Sequence, residues 1–311
     1  MAEIGVLGDA GLARAYALQC RERDGVELVA VDGTSAAVAG RTVTTYDSVD
    51  ALCANAPATV ILCTPLSDRR STIAQLCQSG CEIVCPGPIA DTGEKITAIG
   101  SMVADSPGRL VSIADHRVSP PASTAAERVR TGAIGTVGTV RTFRQFVAGN
   151  LLTRGAPLAD LAFGVVFHEL DLCRWLCGPI ERVFARTVSG ARLTAAIVTL
   201  RCGSAVGHIE ARLTDRSAFD PSHRFELAGD GHLSYDSQTD TPVTTTPSHA
   251  EPPTGTHRLG PEMVLRSLCA DGGDRFSFER SIESSITTLR ATRAVLESID
   301  REVPVTVGCP E

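Results

Sequence analysis

A glycine-bearing turn near the start is the first place where residue type and spacing in this chain could do chemistry. Gly8, Ala10, Gly11 and Ala13 follow the apolar run Glu3–Leu7. Their spacing approximates G-x-G-x-x-G/A, which turns a chain from strand to helix and brings its backbone against a pyrophosphate. Gly8 fills the first position, which makes the tight turn. Ala10 stands at the second, Gly11 comes one residue late, and Ala13 fills the third. Gly11 and Leu12 open the following helix, whose free N–H groups and positive dipole end favour phosphate. Asp32 ends the next β-branched run, where an acid can accept from ribose hydroxyls. Gly33-Thr34-Ser35 offers no arginine to a 2′-phosphate, so NAD is expected over NADP, with NADP kept open.

Eleven cysteines are the second reactive group. Cys77, Cys81 and Cys85 are spaced by four, as are Cys173 and Cys177, but no C-x-x-C pair exists. Reduced, buried thiols are expected, and no metal. The 311 residues are 43% hydrophobic and 21% charged, with a net charge of -7. That composition suits a folded core and argues against disorder. The mild negative charge gives no basic patch for nucleic acid. No apolar run reaches the ~20 residues that span a bilayer, and Met1–Gly5 has no leader pattern. A cytoplasmic protein with a small-molecule substrate, no nucleic acid and no membrane is expected.

The elements that must position these residues alternate through the first third. Strands are expected at Glu3–Leu7, Val26–Val31, Thr59–Cys63, Glu82–Cys85 and Arg109–Ile113, with helices between them. Apolar strands alternating with helices mark a parallel sheet covered on both faces. After Pro120-Pro121 the pattern changes. Longer strands are expected at Val137–Val147, Ile180–Ser189, Leu193–Cys202 and Ala205–Leu213, interrupted by a helix from about Ala159 to Leu176. The Thr-, Pro- and Ser-rich stretch Asp236–Gly255 reads as a surface excursion, and Ser281–Ile299 as an amphipathic helix. The fold class is therefore α/β. A dinucleotide-binding Rossmann domain, a doubly wound parallel sheet, is expected over 1–120. An α+β domain with a largely antiparallel open sheet is expected over 121–311.

Several short motifs in this order resemble the Gfo/Idh/MocA family, named for glucose–fructose oxidoreductase and inositol dehydrogenase. They are Arg14-Ala15-Tyr16 after the glycine loop, Thr64-Pro65, Ala114–Pro120, Gly132-Ala133-Ile134-Gly135, and above all His168–Gly178. The resemblance runs the whole length. It implies that Thr64 and Pro65 lie beside the cofactor ribose and that Pro86 and Gly87 also border the cofactor. It further implies a homodimer or homotetramer built on the second sheet.

The departures from the family fall on its chemistry. Members commonly carry Glu-Lys-Pro after the fifth strand, and that lysine bonds the substrate hydroxyl. Here Pro86-Gly87-Pro88 stands there, and the sole lysine, Lys95, lies on the next helix. The family's aspartate four residues before the helix histidine is Gly164. Proton transfer then falls to His168, with Arg117, His116, Asp115 or water as further candidates, Arg117 as an orienting group because arginine seldom yields its proton. Asp171 is expected to hold structure near Arg174, and Trp175 to be core. Arg141, Arg144, Arg212 and Arg224 read as a solvated or subunit-facing set, and Leu151–Pro157, with Arg154, as a lid. The expected function is an NAD(P)-dependent oxidoreductase on a sugar-like alcohol, ketone or imine. Two alternatives rest on the missing lysine: a non-redox enzyme on the same fold, or an inactive nucleotide-binding regulator or partner subunit.

Overall fold

The computed structural model describes residues 2–8, 11–21, 26–30, 44–55, 57–147, 156–214, 221–239, 243–245, 250–251 and 278–308. Ala10, Asp32 and Arg154 lie outside the described residues. Contacts divide the chain into two units that meet in sequence at Asp115–His116. The last helix, Phe278–Arg301, belongs to the first unit up to Thr287 and to the second from Thr288.

The first unit is built on six short strands, β1 (Ala2–Leu7), β2 (Val26–Ala30), β3 (Thr44–Thr45), β4 (Thr59–Leu62), β5 (Glu82–Pro86) and β6 (Arg109–Ile113). They lie in the order β3-β2-β1-β4-β5-β6, and every neighbouring pair is parallel. After its first residue each of β4, β5 and β6 is buried throughout, so both faces are covered and the buried residues are apolar but for Ser112. Helices Arg69–Gln78 and Gly93–Ala104 cross over between them. Gly80, at φ +82°, stops the former, and the Thr92 hydroxyl accepts from the Lys95 N–H at the start of the latter. Because β2 lies on one side of β1 and β4 on the other, the strand order reverses there. Open α/β sheets bind ligands at the carboxyl ends of strands flanking such a reversal.

The second unit holds β7 (Thr139–Val147), β8 (Ile180–Ser189), β9 (Leu193–Cys202), β10 (Ala205–Thr214), β11 (Ser222–Ala228), β12 (His232–Asp236), β13 (Val243–Thr245), β14 (Ala250–Glu251) and β15 (Val305–Thr306). Their order is β14-β13-β12-β11-β7-β10-β9-β8-β15. All pairs are antiparallel except β10 with β7. Buried and exposed residues alternate along β9 and β10, as expected for one covered and one open face. Val188, Leu193, Ile197 and Val206 are exposed on this sheet. The excursion expected over 236–255 is corrected in part: β13 and β14 pair as short edge strands, because Val243-Thr244-Thr245 is β-branched and fits a pleat.

The helix expected from about Ala159 runs from Pro157 to Cys177 in three continuous parts: Pro157–Leu161, a π-helical turn Ala162–Val166, and Phe167–Cys177. Proline is suited to a first helical position, and Gly178, at φ +98°, closes the run. In the π turn the Phe167 N–H reaches the Ala162 carbonyl, five residues back. No described helix is long and apolar enough to cross a membrane.

Candidate active site

The strand-order reversal gathers the turns after β1, β4 and β5. Gly8 is buried, and a Cβ on it would stand 2.8 Å from the carbonyl carbon and oxygen of Cys63. Only glycine lets the two strand ends close, with the Cys63 N–H donating to Leu7 O at 2.7 Å. Gly11 is the first residue of the next helix, and Leu12 is half-buried in its first turn. Thr64 follows β4, and its Oγ1 is buried without a hydrogen-bond partner. Pro65 and Pro86 are buried, and the Gly87 N–H donates to Ile113 O at 2.9 Å.

Arg69 fixes these turns to one another. It is 0% exposed. Its Nε donates to Thr64 O at 2.9 Å, and its Nη1 donates to Pro86 O at 3.0 Å and to Pro88 O. Nη1 also lies 3.4 Å from Cys85 Sγ. Burial nevertheless pushes the Cys63 and Cys85 thiols up, outweighing the pull of Arg69, so neither is a ready nucleophile. Lys95 is exposed and paired with Asp91 at 2.7 Å, one helical turn away on the surface.

In the second unit the helix carries a run of buried polar side chains. His168 is 4% exposed and packs edge-on against Phe167. Glu169 is fully buried. Its Oε1 meets His116 Nε2 at 2.8 Å, its Oε2 meets His223 Nε2 at 3.3 Å, and Arg144 Nη1 lies 3.7 Å away. The two imidazoles stack at 4.4 Å. Burial alone would raise Glu169, but the imidazoles of His223 and His116 outweigh it and hold its carboxyl well below the usual range. Burial also pushes His116 down to about 4, against the pull of Glu169. His116 is therefore neutral near pH ~7, its Nε2–H donating to the carboxylate.

His116, Glu169 and His223 converge closely enough to suggest a metal-ligand set. Two features argue for a hydrogen-bonded network instead. Arg144 already brings positive charge to the carboxylate. The outward Nδ1 atoms of both histidines are buried with no partner, whereas ligating histidines normally donate that proton to an acceptor.

One turn on, Asp171 is 2% exposed. It accepts from Arg117 at 2.7 and 3.1 Å, from Arg174 at 2.9 Å and from Thr288 at 3.0 Å. Burial would raise it, but Arg117 and then Arg174 hold it down to about 2. Arg117 also covers the Trp175 ring at 4.6 Å. Asp171 thus holds structure, as its spacing from Arg174 suggests, and Trp175 is half-buried, packed against the core with Arg117 over its ring.

The four strand arginines do not form one set. Arg141 is exposed, and Arg212 and Arg224 lie over the Phe143 ring at 5.0 and 4.4 Å. Arg144 alternates to the covered face and is buried beside Glu169. The open face has a hollow of about 550 Å³ bordered by Arg141, Phe143, His208, Glu210 and Arg224.

Within the first unit the structure brings together Gly8, Thr64, Pro65, Pro86 and Gly87. Within the second it brings His116 and Arg117 to the histidine helix. Sequence reading missed Arg69, Glu169, His223 and Arg144 as partners. Only Glu169 carried a local signal, an acid beside His168 on a largely apolar helix.

No family model matches the chain, and no curated protein matches it in sequence. Solved structures match its fold over the whole length. A levoglucosan dehydrogenase in complex with NADH superposes with a TM-score of 0.77 at 17% identity, covering 99% of this chain and 100% of that one. An oxidoreductase from Agrobacterium radiobacter, in complex with NAD+, L-tartaric acid and magnesium, gives 0.75 at 16% identity, covering 99% and 98%. A myo-inositol dehydrogenase from Corynebacterium glutamicum gives 0.74 at 18% identity, covering 100% of both chains. The chain has their two-domain fold.

Proposed function

We propose that this chain is a nicotinamide-dinucleotide-dependent oxidoreductase of the Gfo/Idh/MocA type, acting on a sugar-like alcohol, ketone or imine. Thr64 carries the reading. Its buried, partnerless Oγ1 sits at the strand-order reversal, where a ligand hydroxyl or amide would recover a cost of about 1–3 kcal/mol. The close approach at Gly8 and the helix start at Gly11 and Leu12 suit a pyrophosphate beside it. When bound, the dinucleotide supplies a hydride acceptor or donor at its nicotinamide ring.

The chain's own part is proton handling and orientation. His168 takes the proton of a substrate hydroxyl, or returns it in the reverse direction. Arg117, fixed by Asp171 and 27% exposed, orients the substrate. His116 is locked neutral on Glu169 and supports the helix. NAD is favoured over NADP by Asp32, so Asp32→Ala should erase the preference. The open face of the second sheet, with Val188, Leu193, Ile197 and Val206 exposed, suits a homodimer or homotetramer.

A second reading, a non-redox enzyme on this fold, is favoured by one observation: Gly87 has no side chain, and Lys95 is held on the surface by Asp91. A polyol screen separates the two. Purified protein with NAD+ is offered levoglucosan, myo-inositol and L-tartrate while NADH formation is followed. The first reading expects turnover that falls at least ~100-fold in His168→Ala with NADH affinity retained. Equal losses of both would overturn the role of His168, and no turnover despite intact NADH binding would favour the second reading.

A further inference from the structure

All described cysteines are free thiols, and three of them gather where the histidine helix ends. Cys173 and Cys177 lie one turn apart on its last part, Phe167–Cys177. Cys202 closes β9. Gly178, at φ +98°, stops the helix, and the chain then enters β8, where Ile180 pairs with Cys202. The chain leaving the helix therefore runs beside the turn at the end of β9. There the Gly203 N–H donates to Pro179 O at 2.9 Å, and a Cβ on Gly203 would stand 2.5 Å from Cys177 O. The Cys202 thiol lies between these two backbones. Its Sγ is 2.8 Å from Gly178 O and 3.3 Å from Cys173 O, and it hydrogen-bonds with the Cys177 thiol.

The thiols differ in access. Cys173 and Cys202 are 0% exposed, whereas Cys177 is half-buried. The bond with Cys177, and then burial, push the Cys202 thiol up, and burial pushes Cys173 up. Neither is the thiol that starts an exchange. A reagent from solvent meets Cys177 first, with Cys202 already in contact behind it. Neither Cys177 nor Cys202 has a part in the proton handling ascribed to His168.

We propose that Cys177 and Cys202 are a redox-active pair, in which Cys177 reacts with a low-molecular-weight disulfide and Cys202 closes the protein disulfide. The Cys177 thiolate attacks one sulfur of the small disulfide. That S–S bond breaks, a mixed disulfide forms on Cys177, and one small thiol leaves. Cys202 then releases its proton and attacks Cys177 Sγ, and the second small thiolate leaves and takes up a proton. The cysteine pair loses two electrons and the small disulfide gains two. The finished bond fastens the last turn of the helix that carries His168, Glu169 and Asp171 to the end of β9.

The test is peptide mapping of the reduced, folded protein after exposure to oxidised glutathione at mildly alkaline pH. Acid quench and alkylation of free thiols precede a tryptic digest without reductant. Cleavage at Arg154, Arg174, Arg182, Arg201 and Arg212 puts Cys173 alone on 155–174, Cys177 alone on 175–182 and Cys202 alone on 202–212. The expected course is a glutathione adduct on 175–182 that gives way to a link between 175–182 and 202–212. In Cys202→Ala the adduct on 175–182 should persist, and its conversion to any other link would overturn the pairing. Wild type carries the test by itself if that variant does not fold. An adduct that never converts there overturns the proposal, as does a link from 175–182 to 155–174, or a Cys177 that stays unmodified. A link that forms as fast in urea overturns it too, because it would not need the fold.

Discussion

Replacing Glu169 by glutamine removes the negative charge at the centre of the buried network. Glu169 is fully buried and faces His116 at 2.8 Å, His223 at 3.3 Å and Arg144 at 3.7 Å. Breaking a buried pair by removing one partner costs about 3–5 kcal/mol, because the remaining charge stays desolvated. Each imidazole donor also exchanges a charge-assisted bond for a neutral one or none. Against a typical domain stability of about 5–15 kcal/mol, the expected loss of about 3–5 kcal/mol is large. Trp175, the only tryptophan, lies on the same helix, so its fluorescence during urea unfolding reports this unit. Adding Arg144→Met should recover at least about 1 kcal/mol, since both charges then leave together. A loss below about 1 kcal/mol for Glu169→Gln would refute the charge-balance argument. A wild-type protein destabilised as much by a chelator would assign the trio to a metal ion instead.

Three further outcomes follow from the same geometry. Burial holds His116 at about 4 against an ordinary 6.5, so the unfolded chain takes up that proton first. The stability concerned is complete above about pH 6.5 and is lost as pH falls toward 4, by up to about 3 kcal/mol, with Asp171 extending the loss from about 3.8 toward 2. A flat unfolding free energy across the upper window would contradict it. Arg69→Met leaves the Thr64, Pro86 and Pro88 carbonyls short of a donor and should cost about 2–4 kcal/mol in urea unfolding. A loss under about 1 kcal/mol would mean that the two turns hold their places without it. Lys95→Ala should leave stability within about 0.5 kcal/mol and turnover unchanged; a collapse of turnover would make Lys95 the missing lysine after all.

The parallel sheet was legible because β4, β5 and β6 are short, largely apolar runs, β4 and β5 closed by Pro65 and by Pro86-Gly87 and β6 preceded by Pro107-Gly108, a purely local pattern. The histidine helix was legible in extent but not in register. Nothing in Ala162-Phe163-Gly164-Val165-Val166 announces a π turn. The parallel pairing of β10 with β7 joins segments some 65 positions apart, as in Thr139 with Val206, and leaves no local trace. Arg69 sits on a polar helix and reads as a surface residue; its burial follows from carbonyls that turn toward it only in the fold. Glu169 and His223 are 54 residues apart, so their contact had no spacing to betray it.

On the proposed function, the turns after β1, β4 and β5 bind a nicotinamide dinucleotide. A fluorescence titration of the purified protein with NADH, NADPH alongside, tests it most directly. Micromolar NADH binding is expected, weakened about 3–10-fold in Thr64→Val, where the partnerless hydroxyl is gone. No binding of either nucleotide at millimolar concentration would contradict it.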